Sequence, residues 1–474
     1  MTRVAQALDT LATLVGRSPV SDLASAFDAA GVELSLVGGP VRDAFLGKAV
    51  NDLDFATSAR PEQIEQLVRP IADAVWDVGR EFGTIAAQCG ETTVEITTYR
   101  ADSYDGASRK PTVEFGDSLD EDLIRRDFTV NAMAVRVPGL VLVDPYGGLT
   151  DLMDGVLRTP SPPEVSFADD PLRMLRACRF VAQLGATIET ETARALSEMA
   201  PRIEGISAER VRDELVKLLS TAHPREGVEA FVDSGLAHLV LPELALLREE
   251  RDEHRRHKDV YQHSLTVLEQ AIDLEAQRFS DQPADVTLRI AALLHDIGKP
   301  VTKKFEPGGV VTFHHHDVVG AKMAKKRLKA LRFDNNTVDS VSSLIELHLR
   351  FFGYADQGWS DSAVRRYVRD AGDELQRLHI LTRADVTTRN QQKADRLAFA
   401  YDDLEERIDQ LSKKEELQAM RPDLNGEQIM EILGIGPSRA VGQAYRFLLE
   451  LRIDHGPLGE DAAREQLEKW WAKQ

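Results

Sequence analysis

The segment 36–57, LVGGPVRDAFLGKAVNDLDFAT, constrains this chain more than any other. An apolar strand runs into a Gly-Gly turn and a helix start, and Asp52 and Asp54 then stand two residues apart. Residues i and i+2 of a strand point to one face of a sheet. Two carboxylates held side by side repel each other unless a cation lies between them. At Gly38 and Gly39 the backbone can approach a phosphate, and the following helix aims its N–H groups there. Hard oxygen ligands beside such a turn suit Mg²⁺ carrying a nucleotide. Metal-assisted nucleotidyl transfer needs this scaffold, to activate an attacking hydroxyl and to clamp a triphosphate. A third carboxylate from a neighbouring strand completes it. Glu95 in TVEITTYR is the candidate, with Val94 and Ile96 facing the other way.

Further blocks follow in order: LIRRDFTVNAMA (123–134), VDPYGGLTDL (143–152), ADDPLRMLRACRF (168–180) and ISAERVRDEL (206–215). In the third, Asp170 and Arg173 read as neighbours one turn apart on a helix. A carboxylate acceptor and a guanidinium donor can imitate a Watson–Crick edge. Arg176 and Arg179 continue the series, although successive three-residue steps drift and turn Arg179 away from Asp170.

With Gly-Gly-x-Val-Arg-Asp, these blocks resemble the class II tRNA nucleotidyltransferase and bacterial poly(A) polymerase family, within the polymerase-β-like superfamily. The resemblance implies that Asp52, Asp54 and Glu95 are catalytic and hold Mg²⁺. It implies nucleotide contacts from Gly38, Gly39, Arg42, Arg126, Asp127, Asp170, Arg173, Arg176 and Arg179. Asp170 and Arg173 would select CTP or ATP, Asn131 would support the fold, and Glu209 and Arg212 would brace the base-selecting helix. The family usually has Glu where this chain has Asp169. The implied activity is addition of CCA to the 3′ end of tRNA without a nucleic-acid template. A poly(A) polymerase or an A-only transferase shares every head motif and is the alternative.

A second constellation lies downstream in YQHSLTVL, AALLHDIGKP, FHHHDVVGA, LIELHLR and LTRADVTTRN. It resembles the HD superfamily. His263, His295, Asp296 and Asp385 match its metal ligands, and His316 and His348 sit where two-metal members place further histidines. Imidazole with carboxylate suits a transition metal or Mg²⁺. An activated water there would hydrolyse phosphate esters. The metal's identity stays open, and His314 and His315 read as exposed hairpin residues.

The expected architecture is α+β: a small mixed-sheet head followed by an all-helical neck, HD-type body and tail. The 474 residues are too many for one core. The reading divides them into an N-terminal helix (1–33), a catalytic head (34–158), a base-selecting neck (159–225), an HD body (226–400) and a tRNA-binding tail (401–474). TPSPPEVSFADDP (159–171) marks the end of the head. The segment 101–116, rich in Gly, Ser and charge, reads as a mobile loop serving the switch from C to A addition.

A net charge of −20 disfavours an RNA partner unless positive charge is concentrated on one face. Basic clusters at 248–258 and 322–332 are the candidates, each also readable as a solvated helix face. The absence of a long apolar run, of a signal-like N-terminus and of cysteine pairing motifs leads to the expectation of a cytoplasmic protein without a membrane partner.

Overall fold

The computed structural model describes residues 3–50, 53–101, 114–248, 260–307, 310–351, 353–354, 358–388, 390–415 and 421–474. Asp52, the centre of the 101–116 loop and nearly all of the 248–258 cluster lie outside them. The chain forms two compact units. One is Met1–Glu214 with Glu226–Leu239, and the other is Leu215–Arg225 with Val240–Gln474.

The first unit opens with helices α1 (Arg3–Val15) and α2 (Val20–Ala29), then builds a seven-stranded mixed sheet. Its strands are β1 (Leu34–Val37), β2 (Leu53–Thr57), β3 (Ala74–Gly79), β4 (Thr84–Cys89), β5 (Thr92–Thr98), β6 (Ala134–Val137) and β7 (Val141–Val143). They run in the order β3-β4-β5-β2-β1-β6-β7. The LSLV of β1 is buried at all four positions, as a central strand covered on both faces requires. Strand β5 alternates instead: Val94, Ile96 and Thr98 are buried, while Glu95 is exposed. Every pairing in this sheet is antiparallel except β2 with β5. The edge strand β3 was not read from the sequence. Its AVWDVG carries Asp77 and leaves Trp76 41% exposed, so its alternation is weak.

The Pro-rich stretch after the head starts a helix. Pro163 takes the first position of α4 (Pro163–Asp169), where its missing N–H costs nothing. Next come α5 (Leu172–Leu184) and, after further helices, α6 (Ala208–Leu219). Asp170 is not on the helix that carries Arg173, as the spacing suggested. Pro171 disfavours the helical region for the residue before it, and Asp170 is extended (φ −143°, ψ 99°). It precedes α5 and caps it, accepting a hydrogen bond from the Leu172 N–H at 3.1 Å.

In the second unit, α7 (Val260–Arg278), α8 (Val286–Leu294), α9 (His316–Ala330), α10 (Asn335–Leu347) and α11 (Leu375–Ala384) pack together, followed by α12 (Gln391–Glu415). The expected hairpin is present as β8 (Lys304–Glu306) and β9 (Val310–Thr312). The turn after α8 lies so close to the start of α9 that a Cβ at Gly298 would meet the His316 carbonyl at 2.1 Å. Only glycine permits that approach, and it brings the His295–Asp296 turn against His316. Three further helices, α13 (Gly426–Leu433), α14 (Arg439–His455) and α15 (Glu460–Trp471), share their own core of Leu424, Ile429, Ala444, Leu448, Ala463 and Leu467. Among the described residues, no helix is long and apolar enough to cross a membrane.

Candidate nucleotidyl-transfer site and metal centre

Asp54 on β2 and Glu95 on β5 are direct partners in the parallel register. Paired residues on adjacent strands face the same way, so two carboxylates 41 residues apart in sequence share one face. Asp54 is half-buried and Glu95 exposed. Two acceptor-only groups beside each other suit a hard cation.

The Gly-Gly turn lies at the start of α3 (Gly39–Phe45). Gly38 has φ +71° and ψ −123°, and a Cβ there would come within 2.9 Å of Arg126 Nη1. The Arg126 guanidinium therefore lies against the turn. Its Nη2 donates to Asp122 Oδ2 at 3.2 Å, while its buried Nε has no partner among the described residues. Gly38→Ala is expected to cost about 1–3 kcal/mol, the price of a backbone region open almost only to glycine. Urea unfolding of the variant against the parent reads that loss directly.

Arg42 is buried and bonded on both sides, to Asp43 Oδ1 at 2.9 Å and to Asn131 Oδ1 at 2.6 Å. Asn131 in turn donates to Asp127 Oδ1 at 2.9 Å. Asp127 Oδ2 accepts two bonds from Arg176, at 2.8 and 2.6 Å. Arg179 continues the series by donating to Glu214 Oε2 at 2.7 Å. Burial opposes ionisation of Asp127, but Arg176 and Asn131 outweigh it and hold the carboxyl below the usual range. Arg42, Arg176 and Arg179 also surround the Phe180 ring, 5.5, 5.6 and 4.1 Å from its centroid. A chain of side-chain hydrogen bonds through Arg42, Asn131, Asp127 and Arg176 thus links the Gly-Gly helix to α5.

Arg173 is anchored by Ser166 Oγ at 2.8 Å and by the Arg125 carbonyl. Asp170 Oδ2 accepts from Arg210 of α6 at 2.8 Å. Arg210 and Glu214 of α6 thus reach the α5 region, and sequence reasoning, which named Glu209 and Arg212 on this helix, did not name them. Their i, i+4 spacing on one face of α6 was the available signal. Asp144 caps a turn, accepting from the Gly148 and Leu149 N–H groups.

In the second unit all six residues selected from the HD pattern converge. His263, His295 and Asp385 form one group and Asp296, His316 and His348 another, each with ligand atoms within 4.8 Å of one another. His263 Nε2 lies 2.9 Å from Asp385 Oδ1, and His316 Nε2 lies 3.3 Å from Asp296 Oδ1. The four imidazoles are oriented alike. Each Nδ1 is within hydrogen-bond distance of a polar oxygen: Thr387 Oγ1 for His263, and the carbonyls of Ala292, Phe313 and Ile345 for His295, His316 and His348. A carbonyl accepts only from N–H, so three of these leave Nε2 as the inward atom. His348 Nε2 is buried with no hydrogen-bond partner among the described residues. Imidazole nitrogens aimed at two carboxylates are joined either by a proton or by a metal cation, and this donor set fits a divalent metal.

Burial works against charge on His295, yet Asp296 and Asp385 outweigh it and raise its pKa to about 10. Burial, aided by His295, pushes His348 down to about 4. Lys299, also overlooked in the sequence, puts Nζ 2.8 Å from Asp296 Oδ2. It follows Asp296 by three residues on a helical turn, which was its visible signal. His314 and His315 are exposed, as expected, but they form the turn between the hairpin and α9 rather than part of the hairpin.

A paired-carboxylate sheet face beside a Gly-Gly turn defines a nucleotidyltransferase head, here joined to an HD-type metal centre. Residues 34–158 match the model of the poly A polymerase head domain. Residues 185–247 match a probable RNA and SrmB-binding site of polymerase A, and 260–390 match the HD domain. An A-adding tRNA nucleotidyltransferase of Deinococcus radiodurans is 33% identical over 448 residues, covering 92% of this chain and 95% of that protein. The chain belongs to the tRNA nucleotidyltransferase family. A CCA-adding enzyme of Leuconostoc mesenteroides is 45% identical over 201 residues, covering 42% of this chain and 49% of that enzyme's length. The fold is that of the Bacillus stearothermophilus CCA-adding enzyme solved with CTP. The TM-score is 0.64 at 22% identity, over 100% of this chain and 98% of that one.

Proposed function

We propose that the protein adds CCA to the 3′ end of tRNA from CTP and ATP, without a nucleic-acid template and with release of pyrophosphate. The observation that carries this reading is the Asp54–Glu95 face in one compact unit with the Asp170–Arg173 pair. The names of the relatives supply the RNA substrate and the nucleotides.

In this reading Asp52, Asp54 and Glu95 hold Mg²⁺. When bound, the ion lowers the pKa of the primer hydroxyl and neutralises charge on the triphosphate. Gly38 and Gly39 let the backbone meet the phosphates, and Arg126 neutralises them across the turn. Arg42 and Asp127 keep α3 in register with Arg176 and Arg179, which border the nucleotide. The primer 3′-oxygen attacks the α-phosphorus in line, the bond to the β-phosphate oxygen breaks, and pyrophosphate leaves. Asp170 accepts from, and Arg173 donates to, the edge of the incoming base. Residues 34–158 would be the catalytic head, 159–225 the base-selecting neck and 401–474 a tRNA-binding tail. The two buried free cysteines fit a reducing cytoplasm.

The selectivity of Asp170→Ala with Arg173→Ala tests the base-reading role. On tRNA lacking CCA, the double variant is expected to lose discrimination against UTP and GTP by at least about tenfold. Unaltered selectivity with reduced turnover would refute it. Arg210→Ala separates support from stability. Its ion pair with Asp170 is half-exposed, so unfolding free energy should fall by no more than about 1 kcal/mol, while selectivity weakens because Asp170 loses its anchor.

A second reading concerns the six-residue centre. The convergence of four imidazoles on Asp296 and Asp385 supports a metal-dependent phosphohydrolase. A divalent ion bound there would supply an activated water, and Lys299 would pair with the substrate phosphate.

A further inference from the structure

We propose that Trp76 holds the 3′-terminal base of the RNA primer by stacking, on the open part of the sheet face that carries Asp54 and Glu95. The inference rests on the nucleotidyl-transfer reading and adds a primer-binding residue to it.

The sheet register places the indole. Glu95 pairs with Asp54 across β5 and β2 and with Ala86 across β5 and β4, and Ala86 pairs with Trp76 across β4 and β3. Directly opposed residues lie on one face, so Trp76, Ala86, Glu95 and Asp54 form one row across four strands. Neighbouring strands are about 4.8 Å apart, which sets Trp76 about 10 Å from Glu95 along the row. Between them Ala86 carries only a methyl group.

The two ends of this face differ. Towards β1 and β6 it is closed, because Val37, Ala56 and Ala134 share a core with Leu119 and Leu123. Towards the β3 edge, Glu95 is exposed and Trp76 is 41% exposed. Singly exposed apolar residues are ordinary on a protein surface. This one stands in register with the carboxylate pair. The polar side chains flanking the row are engaged with one another: Thr84 with Thr97 at 3.0 Å, and Thr93 with Gln88 at 2.9 Å. The ring face is what this part of the sheet offers a ligand.

Strand order selects the occupant. Strand β2 stands between β5 and β1, and β1 runs into the Gly-Gly turn. With the triphosphate at that turn, pyrophosphate leaves on the β1 side. In-line displacement brings the attacking oxygen from the opposite side of the α-phosphorus, over β5 and β4. The incoming base is read by Asp170 and Arg173, so the indole is left for the primer. A terminal nucleotide with its 3′-oxygen at the carboxylates can lay its base towards the ring. The end of the primer also changes at each addition, from the last base of the unextended tRNA to C and then to C again. Hydrogen-bond readout fits one base edge, whereas stacking accepts every base because each has a π-face. A site that seats successive ends is served by an aromatic ring.

The test uses the full chain with Mg²⁺, saturating tRNA that ends after the first C, and labelled CTP. In Trp76→Ala, kcat is expected to fall at least about tenfold, the scale of one lost base–aromatic stack. The KM for CTP should be unchanged, because the incoming nucleotide lies on the β1 side. Trp76→Phe should recover most of the rate, and both variants should melt with the parent. Replacing the terminal base of the primer by an abasic residue should cost the parent the same factor. It should cost Trp76→Ala no more than about twofold, as for two partners of one contact. Parental kcat in Trp76→Ala, or losses from the variant and the abasic end that multiply, would overturn the stack while leaving nucleotidyl transfer standing. A raised KM for CTP at unchanged kcat would assign the ring to the incoming nucleotide and overturn the proposal. An earlier melt in Trp76→Ala, with no loss on the abasic primer in the parent, would make the ring structural and overturn it too. No incorporation by the parent protein would overturn the nucleotidyl-transfer reading itself, and the primer site with it.

Discussion

Asp54→Ala is expected to reduce incorporation of both CTP and ATP by at least about 1,000-fold. Metal stabilisation of developing charge is worth several kcal/mol, and each 1.36 kcal/mol is tenfold in rate. Asp54 and Glu95 are register partners on one sheet face, so removing one carboxylate lowers the negative charge of that face. The variant should therefore unfold at the same temperature as the parent or slightly higher, and bind tRNA with unchanged affinity. A large loss of activity with unimpaired folding separates metal holding from structural support. An active Asp54→Ala protein would remove the carboxylate pair from the chemistry, and a variant that fails to fold would point to a structural role.

The second large effect concerns the HD centre. A ligand that binds only the folded state at a hundred times its Kd stabilises by about 2.7 kcal/mol. For a unit of this size that shifts the melting temperature by several degrees. Titration of the metal-free protein with Mn²⁺ should show this shift, and His295→Ala should abolish it. Nucleotide addition should persist in the variant, since His295 and Asp54 belong to separate compact units. If the shift survived in His295→Ala, the cation would be bound elsewhere. Loss of addition in a folded variant would show that the two units are coupled.

Much of this site could be read from residue types at short spacing. The Gly38–Gly39 turn, the strand carrying Asp54 and the alternation around Glu95 are local patterns, and the structure has each of them. What local patterns do not carry is pairing. That Asp54 meets Glu95 depends on a parallel register between strands separated by two others in sequence. The HD residues behaved similarly. Spacing identified all six, but their division into His263–His295–Asp385 and Asp296–His316–His348 depends on how α7, α8, α9, α10 and α11 pack. The misplacement of Asp170 was avoidable, because Pro171 already disfavours the helical conformation before it. Arg176 could not have been resolved in advance. Its two bonds to Asp127 span 49 residues, and a three-residue spacing of arginines fits a nucleotide contact and an ion-pair chain equally well.

The account is tested most directly by supplying purified protein and Mg²⁺ with tRNA transcripts that end before CCA, after the first C and after CC. Each is given labelled CTP, ATP or both, and the products are sized on a denaturing gel. The account predicts two C additions followed by one A, each stopping at its step without further growth. Addition of a single A only to the CC-ended tRNA, or of long A tails to any RNA end, would contradict it.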